Sequence, residues 1–193
     1  MDLVDFIESD KALKDNKGAS KMDLKNKLRH VQDFPKEGVD FIDITTILSD
    51  REAYKQAIDE MCAKVSDLEF DVIVGSESRG FMFAATLAYL LGKGFVPVRK
   101  KGKLPFETIS ASYTLEYGTD ILQMHKDAIQ PGQKVLVVDD LLATGGTVAA
   151  NAKLVEQLGG EVVGMLFLIE LTFLGGREKL QGYDVRSVIE FSE

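Results

Sequence analysis

Cysteine and histidine are nearly missing from this chain, and tryptophan is absent altogether. The one cysteine, Cys62, excludes a disulfide framework and a cysteine-based zinc site, because both need paired thiols. The two histidines, His30 and His125, stand far apart and form no metal motif. Long apolar runs are missing as well. None reaches the roughly 20 residues a membrane-spanning helix needs, and the first residues lack the basic start and apolar core of a secretory signal. Positive charge is in deficit: 23 Lys and Arg against 31 Asp and Glu give a formal net charge of -8. That balance argues against a nucleic-acid partner. What is left is a chain of 193 residues, 45% hydrophobic, able to bury the core of one domain. The expected setting is a reducing cytoplasm, with neither nucleic acid nor membrane as partner.

Residues 1–21 are polar and end in a Gly-Ala-Ser piece resembling a linker. They read as a dispensable N-terminal extension, because termini are where chain is most often added. Residues 22–193 read as a single domain. Gly38 punctuates a turn, and an alternating segment follows it. Ser49 and Glu52 have capping-box spacing, and the helix they open places Tyr54, Ile58, Met61, Cys62 and Val65 on one face. Four apolar runs read as buried strands: DVIVG, FVPVRKK, KVLVVDD and EVVGMLFLIEL. DVRSVIEF supplies a last strand. Between them, SRGFMFAATLAYLLG and TVAANAKLVEQLGG read as helices, the first closed by Gly92. The stretch GKLPFETISASYTLEYG reads as a long loop that could carry a hairpin arm. Strands apolar throughout, alternating with amphipathic helices, predict an α/β fold with a mainly parallel central sheet flanked by helices.

The informative stretch is VVDDLLATGGT at 137–147. In open α/β sheets, ligands sit outside the carboxyl ends of the strands, so this strand-to-helix turn lies at the ligand edge. Gly145 and Gly146 allow a tight turn and close backbone approach. The helix start offers unpaired N–H groups and a positive dipole end, and Thr144 and Thr147 add hydroxyls. These features suit a phosphate monoester. Neither a Walker A lysine nor a G-x-G-x-x-G run is present. The glycine pair alone fits an ordinary turn equally well; Asp139 and Asp140 alter that balance. Two adjacent acids at a buried strand end need partners, and the hydroxyls of a sugar diol are suitable donors. A ribose 5-phosphate satisfies both halves.

The motif Asp139-Asp140-Leu-Leu-Ala-Thr-Gly-Gly-Thr resembles the phosphoribosyl-pyrophosphate (PRPP) motif of type I phosphoribosyltransferases, in the form found in adenine phosphoribosyltransferases. DFPKEGVDFIDIT, GSESRGFMFA, VPVRKKGKLP, SASYTLEYG and IELTFLGGREKL also resemble segments of that family, in its order, and together cover nearly all of the chain from Asp33 onward.

The resemblance implies the type I phosphoribosyltransferase fold, with a small hood contributed by residues 33–48 and 170–182. It implies transfer of the phosphoribosyl group of PRPP to adenine, giving AMP and pyrophosphate. It also implies Mg2+ held mainly by PRPP and water, without dedicated protein ligands, and a homodimer. Asp139 and Asp140 would take the ribose; Ala143, Thr144, Gly145, Gly146 and Thr147 the 5'-phosphate. Ser76, Glu77, Ser78 and Arg79 would form a pyrophosphate loop with a strained Glu77–Ser78 peptide, of which Glu77, Ser78 and Arg79 would bind the pyrophosphate. Arg99, Lys100 and Lys103 would reach the pyrophosphate, across the dimer interface in this family. Taken alone, that basic cluster, with Lys101, fits a solvated charge run. Glu116 would serve catalysis together with Arg79 and Lys103, in a lid loop that includes Tyr113 and Tyr117. Asp40 and Ile42 would meet the base through backbone groups, and Phe41 and Leu171 would sandwich it. Two positions bear on base choice. Many relatives carry arginine where this chain has Ile42, a change that backbone recognition tolerates. Ala143 stands where relatives acting on 6-oxopurines place an aspartate, which favours a 6-aminopurine. The alternatives are a phosphoribosyltransferase for another purine and a non-enzymatic PRPP sensor. Against the sensor, the segment before Asp33 is too short and too acidic for a DNA-binding domain.

Overall fold

The computed structural model describes residues 21–114 and 119–192, which fall into two compact units divided after Ala57. In the first unit, strands β1 (Arg29–Val31) and β2 (Phe41–Asp43) pair antiparallel, with His30 opposite Ile42. Helix α1 (Thr45–Leu48) and the first turns of α2 (Arg51–Lys64) follow. Leu24, Leu28, Ile42, Ile44, Ile47, Ala53 and Ala57 are buried. The Gln56 amide clamps the start of this unit: it accepts from Met22 N at 3.0 Å and donates to Met22 O at 2.7 Å.

The cap of α2 differs from the expected one. Asp50 Oδ1 accepts the amides of Glu52 and Ala53, each at 3.1 Å, and Ser49 instead ends α1. A carboxylate is a stronger acceptor than a hydroxyl for helix-start amides and favours the dipole. The aspartate immediately before Arg51 therefore takes the place that spacing assigned to Ser49. Further along α2, burial pushes the Cys62 thiol up to about 11, with Asp59 adding to the shift, so the thiol stays protonated.

The second unit is built on a seven-stranded sheet of order β5-β6-β4-β3-β7-β8-β9. Its strands are β3 (Val72–Ser76), β4 (Gly94–Lys100), β5 (Thr108–Thr114), β6 (Thr119–His125), β7 (Lys134–Leu142), β8 (Glu161–Leu171) and β9 (Val185–Phe191). The five central and right-hand strands are parallel, and β5 and β6 are antiparallel. Every residue of β3 is buried, as is nearly every residue of β7. Continuous burial is what helices on both faces produce, and it explains the absence of alternation in these runs. The stretch read as a long loop that could carry a hairpin arm holds all of β5, which pairs along its whole length with β6 as that arm; β6 joins the sheet through Arg99 and Lys100 of β4. Gly, Pro and Ser at its start masked the alternation that follows.

Helix α3 (Gly80–Leu90) follows β3 and buries Phe83, Ala84, Leu87 and Ala88; helix α4 (Gly146–Gln157) follows β7 and buries Val148, Ala152, Leu154 and Val155. Each large apolar side chain so buried contributes about 1.5–3 kcal/mol, which fixes both helix starts against the strand ends. The chain leaves β3 toward β4 on one side and β7 toward β8 on the other. The crevice between the ends of β3 and β7 is therefore a topological switch point, where such sheets bind ligands.

Candidate active site

At that crevice lies a cavity of about 510 Å³. Glu77, Ser78 and Arg79 enter it from the end of β3, Lys100 from β4, Tyr113 and Leu122 from the antiparallel arm, and 139–148 from β7 and the start of α4. The turn from β7 into α4 is shorter than expected, because β7 continues past the acids and still pairs Leu142 with Glu170. Gly145 caps α4 with φ 77°, and no side chain caps the helix. Helix-start amides have no acceptor within their own helix, so this turn presents them to the cavity. A second loop packs behind it: a Cβ on Gly145 would lie 2.5 Å from the Gly176 carbonyl oxygen, and one on Gly176 would strike the Ala143 carbonyl. Backbone is pressed on backbone here, with no room for a side chain on either.

The loop around Gly176 is held by a pair of groups invisible to motif reading. Arg177 Nε and Nη2 donate to the two oxygens of Glu170 at 2.6 and 2.7 Å, and Nη1 donates to Val185 O at 2.9 Å. Glu170 is only 2% exposed and also accepts from Ser187 Oγ at 2.8 Å. The Arg177 and Ser187 hydrogen bonds hold its carboxyl below the usual range against the opposing effect of burial. A depressed carboxylate contributes stability above its unfolded pKa, and loses it as pH falls through the folded value. Glu170→Gln is expected to cost about 2 kcal/mol near neutral pH, since hydrogen bonds to charged groups are worth about 1.5–3 kcal/mol. The loss should shrink toward pH 3. Urea melts of both chains at pH 7 and pH 3 check this, and an equal loss at both would contradict it.

Asp139 and Asp140 are both buried, at 8% and 5% exposure. Burial pushes the Asp139 carboxyl well above the ordinary range, and the neighbouring Asp140 pushes it further. Asp140 is also raised by burial, but less freely, because Arg79 opposes the shift. Arg79 Nε lies 2.8 Å from Asp140 Oδ2. Its N–H is not aimed along that oxygen, so Oδ2 gains Coulombic attraction without an aligned donor. The structure thus brings together the turn 143–147, both acids, Arg79, Ser78, Lys100 and Tyr113.

Other expected residues stand apart from that lining. Arg99 donates to both Glu77 oxygens at 3.2 and 3.1 Å and to Lys103 O at 3.2 Å; neither it nor Lys103 lines the cavity. Glu77 is held below the usual range because the Arg99 contact and the Lys100 amide outweigh the upward push of burial. The Glu77 amide donates to Val98 O at 2.8 Å, and the Glu77–Ser78 peptide is cis. Tyr113 OH donates to Asp120 Oδ2 at 3.2 Å, and Lys100 Nζ lies 3.3 Å from the same oxygen. Asp120 was not singled out from the sequence; its position directly opposite Tyr113 in the hairpin register is what reveals it. Glu116 and Tyr117 lie outside the described residues. In the first unit, Asp40 Oδ2 lies 2.6 Å from His30 Nδ1, Phe41 stacks edge-on against Phe34 at 5.1 Å, and Ile42 is buried. Leu171 ends β8 in the second unit.

A switch-point crevice lined by a glycine turn at a helix start and by two buried acids is the site this α/β fold presents. The comparisons sharpen this. A family model described as "Phosphoribosyl transferase domain" matches residues 45–191. Adenine phosphoribosyltransferase from Acetivibrio thermocellus is 67% identical over 171 residues, 88% of this chain and 100% of that one. The crystal structure of adenine phosphoribosyltransferase from Thermoanaerobacter pseudethanolicus is 56% identical, with a TM-score of 0.86 over 87% of this chain and 98% of that one. The Saccharomyces cerevisiae enzyme, solved with an imino-altritol bisphosphate and adenine, is 43% identical, with a TM-score of 0.80 over 85% of this chain and 95% of that one. The chain belongs to the adenine phosphoribosyltransferase family, pentosyltransferases on the type I phosphoribosyltransferase fold.

Proposed function

We propose that this chain transfers the phosphoribosyl group of PRPP to adenine in purine salvage, releasing AMP and pyrophosphate. The observation that carries this reading is the pairing, in one cavity, of an uncapped α4 start with Asp139 and Asp140. The turn takes the 5'-phosphate, with Thr144 and Thr147 adding hydroxyls to the amides of 143–147. The two acids accept from the ribose hydroxyls and favour the positive charge that develops at the sugar in the transition state. Arg79, with Ser78 and Lys100, meets the departing pyrophosphate. N9 of adenine attacks C1 of the ribose as the C1–oxygen bond to pyrophosphate breaks, and the bonding electrons leave with that oxygen. Much of the rate gain is positioning in a site shielded from water.

In this reading Asp40, Phe41, Ile42 and Leu171 serve the base, and Glu116 and Tyr117 belong to the lid, with Glu116 acting at the base. Arg99 and Lys103 would reach the pyrophosphate of a partner protomer in a homodimer, which gives a use to two cations outside the lining of this cavity. Mg2+ would be carried in mainly by the oxygens of PRPP and water. When bound, the ion supplies charge neutralisation to the pyrophosphate. A cytoplasmic setting suits the lone thiol.

A panel of adenine, hypoxanthine, guanine and xanthine, each with Mg·PRPP in a pyrophosphate-release assay, tests the reading. Adenine alone should turn over at an appreciable rate. Reaction with guanine while adenine stays inert would transfer the chain to another base, and PRPP binding without AMP formation would make it a sensor.

A further inference from the structure

Asp120 touches two residues of the cavity wall, Lys100 and Tyr113. Next to a site for pyrophosphate, one more carboxylate is a cost unless it does something there. The register of the antiparallel arm shows what it can do. Lys100 of β4 lies opposite Leu122 of β6, and Tyr113 of β5 lies opposite Asp120. Residues two apart on a strand share a face, so Asp120 follows Leu122 along one row. Lys100 is then its diagonal neighbour, within the reach of a long side chain. Lys100, Tyr113 and Leu122 line the cavity, and Asp120 does not.

The two oxygens of Asp120 have different partners. Oδ1 accepts the Ile121 amide at 2.8 Å, and Oδ2 accepts the Tyr113 hydroxyl at 3.2 Å. The carboxylate is thereby fixed from its own strand and from the facing one. The Ile121 amide, with Lys100 and Tyr113 adding to it, holds the carboxyl below the usual range against burial. The Lys100 ammonium lies 3.3 Å from Oδ2. The backbone of Lys100 is pinned at the end of β4, where its amide donates to Glu77 Oε2 at 3.0 Å. Its side chain is 58% exposed on a flexible four-carbon stem. An ion pair this exposed adds little to stability, so its value lies in where it puts the charge. An ammonium has three protons; one given to Asp120 leaves two for the oxygens of a ligand.

We propose that Asp120 is a positioning residue for the pyrophosphate of PRPP, holding the Lys100 ammonium at the cavity wall so that the cation is in place before the ligand arrives. The inference rests on the pyrophosphate role of Lys100 given above.

Isothermal titration of the full chain with Mg·pyrophosphate and, separately, with ribose 5-phosphate tests it. Asp120→Asn keeps the volume and an acceptor for the Ile121 amide while withdrawing the charge that holds Lys100. It should weaken pyrophosphate binding about fivefold, the scale of one exposed ion pair, and leave ribose 5-phosphate binding within about twofold. Lys100→Met, which keeps the stem, should weaken pyrophosphate binding about tenfold. Adding Asp120→Asn to it should cost nothing further, because the cation to be positioned is gone. Asp120→Glu, which keeps the charge, should recover part of the loss. Unchanged or tighter pyrophosphate binding in Asp120→Asn overturns the proposal, the tighter result meaning that the acid only competes for Lys100. A multiplicative loss in the double variant overturns it too. So does an equal fall in affinity for both ligands, which is what general loosening of the arm would produce. If Lys100→Met binds pyrophosphate as the wild type does, the pyrophosphate reading of Lys100 itself fails; if that variant is weakened while Asp120→Asn is not, only the present inference fails.

Discussion

Asp139→Asn combined with Asp140→Asn should fold, melt higher than the wild-type chain at pH 8, and lose turnover by on the order of a thousandfold or more. The stability gain follows from burial. Both carboxyls are pushed above the ordinary range by desolvation, Asp139 well above it. Below the ordinary carboxylate pKa both are protonated in the folded and the unfolded chain alike. As pH rises above that range, the unfolded chain releases protons that the folded chain retains, so the folded state loses stability until pH passes the folded pKa values. Asparagine has no proton to release and removes that slope. The melting difference should therefore be small near pH 4 and grow toward pH 8. Arg79 loses the charge of Asp140 in the double variant, but its side chain is 36% exposed and water can reach it. The loss of turnover has a separate origin: asparagine keeps the volume but withdraws the charge that would favour a cationic sugar. Differential scanning calorimetry at the two pH values and a steady-state assay with adenine and Mg·PRPP check both halves. Near-normal turnover would sink the ribose role, and a lower melting temperature at pH 8 would sink the account of burial.

The sequence was most legible where burial runs the length of an element. β3, β7 and β8 are apolar almost without interruption because helices cover both faces, and the parallel sheet follows from that pattern. Reading failed where a short element carries polar residues. Arg29, His30 and Val31 show no alternation that separates a strand from a loop, yet they pair with β2. The cap of α2 was misplaced by one residue because Ser49 and Asp50 both suit the position, and only geometry chooses Asp50. Within the site, the glycine turn and the acids are contiguous in sequence, and a local motif reveals them. The groups that support them are not contiguous. Ser76 and Asn151 are 75 residues apart, and nothing in the sequence pairs them. Glu170 and Arg177 lie seven residues apart across a loop. Such pairs become visible only once the sheet fixes which strand ends are neighbours.

The contact between Gly145 and Gly176 carries the second large effect. Gly145→Ala should lower kcat/KM for PRPP by about a hundredfold and should weaken the fold as well. Two costs add. An L-residue at φ 77° pays about 1–2 kcal/mol for left-handed backbone, and the new Cβ would lie 2.5 Å from the Gly176 carbonyl oxygen. That neighbour is backbone and cannot rotate away. It is also tied down, because Arg177, the next residue, is held by buried Glu170. Relief must therefore come from the turn itself, which moves the amides of 145–147 away from the position proposed for the 5'-phosphate. A displacement of about 1 Å at a positioning element costs on the order of a hundredfold. Gly176→Ala attacks the same contact from the other loop, where its Cβ meets the Ala143 carbonyl and, at 3.0 Å, the Leu142 side chain. It should reproduce the loss in PRPP use without the left-handed penalty. Its melting temperature should accordingly fall less than that of Gly145→Ala, if the left-handed backbone is the larger part of the folding cost. Gly38→Ala is the control for positive φ alone, since Gly38 has φ 82° but nothing within 4 Å of a new Cβ. It should be destabilised while keeping the KM for PRPP of the wild-type chain. Isothermal titration with Mg·PRPP across the three variants separates the contributions. If Gly176→Ala binds PRPP as the wild type does, the two loops are not coupled, and the turn before α4 depends on Gly145 for its backbone conformation alone.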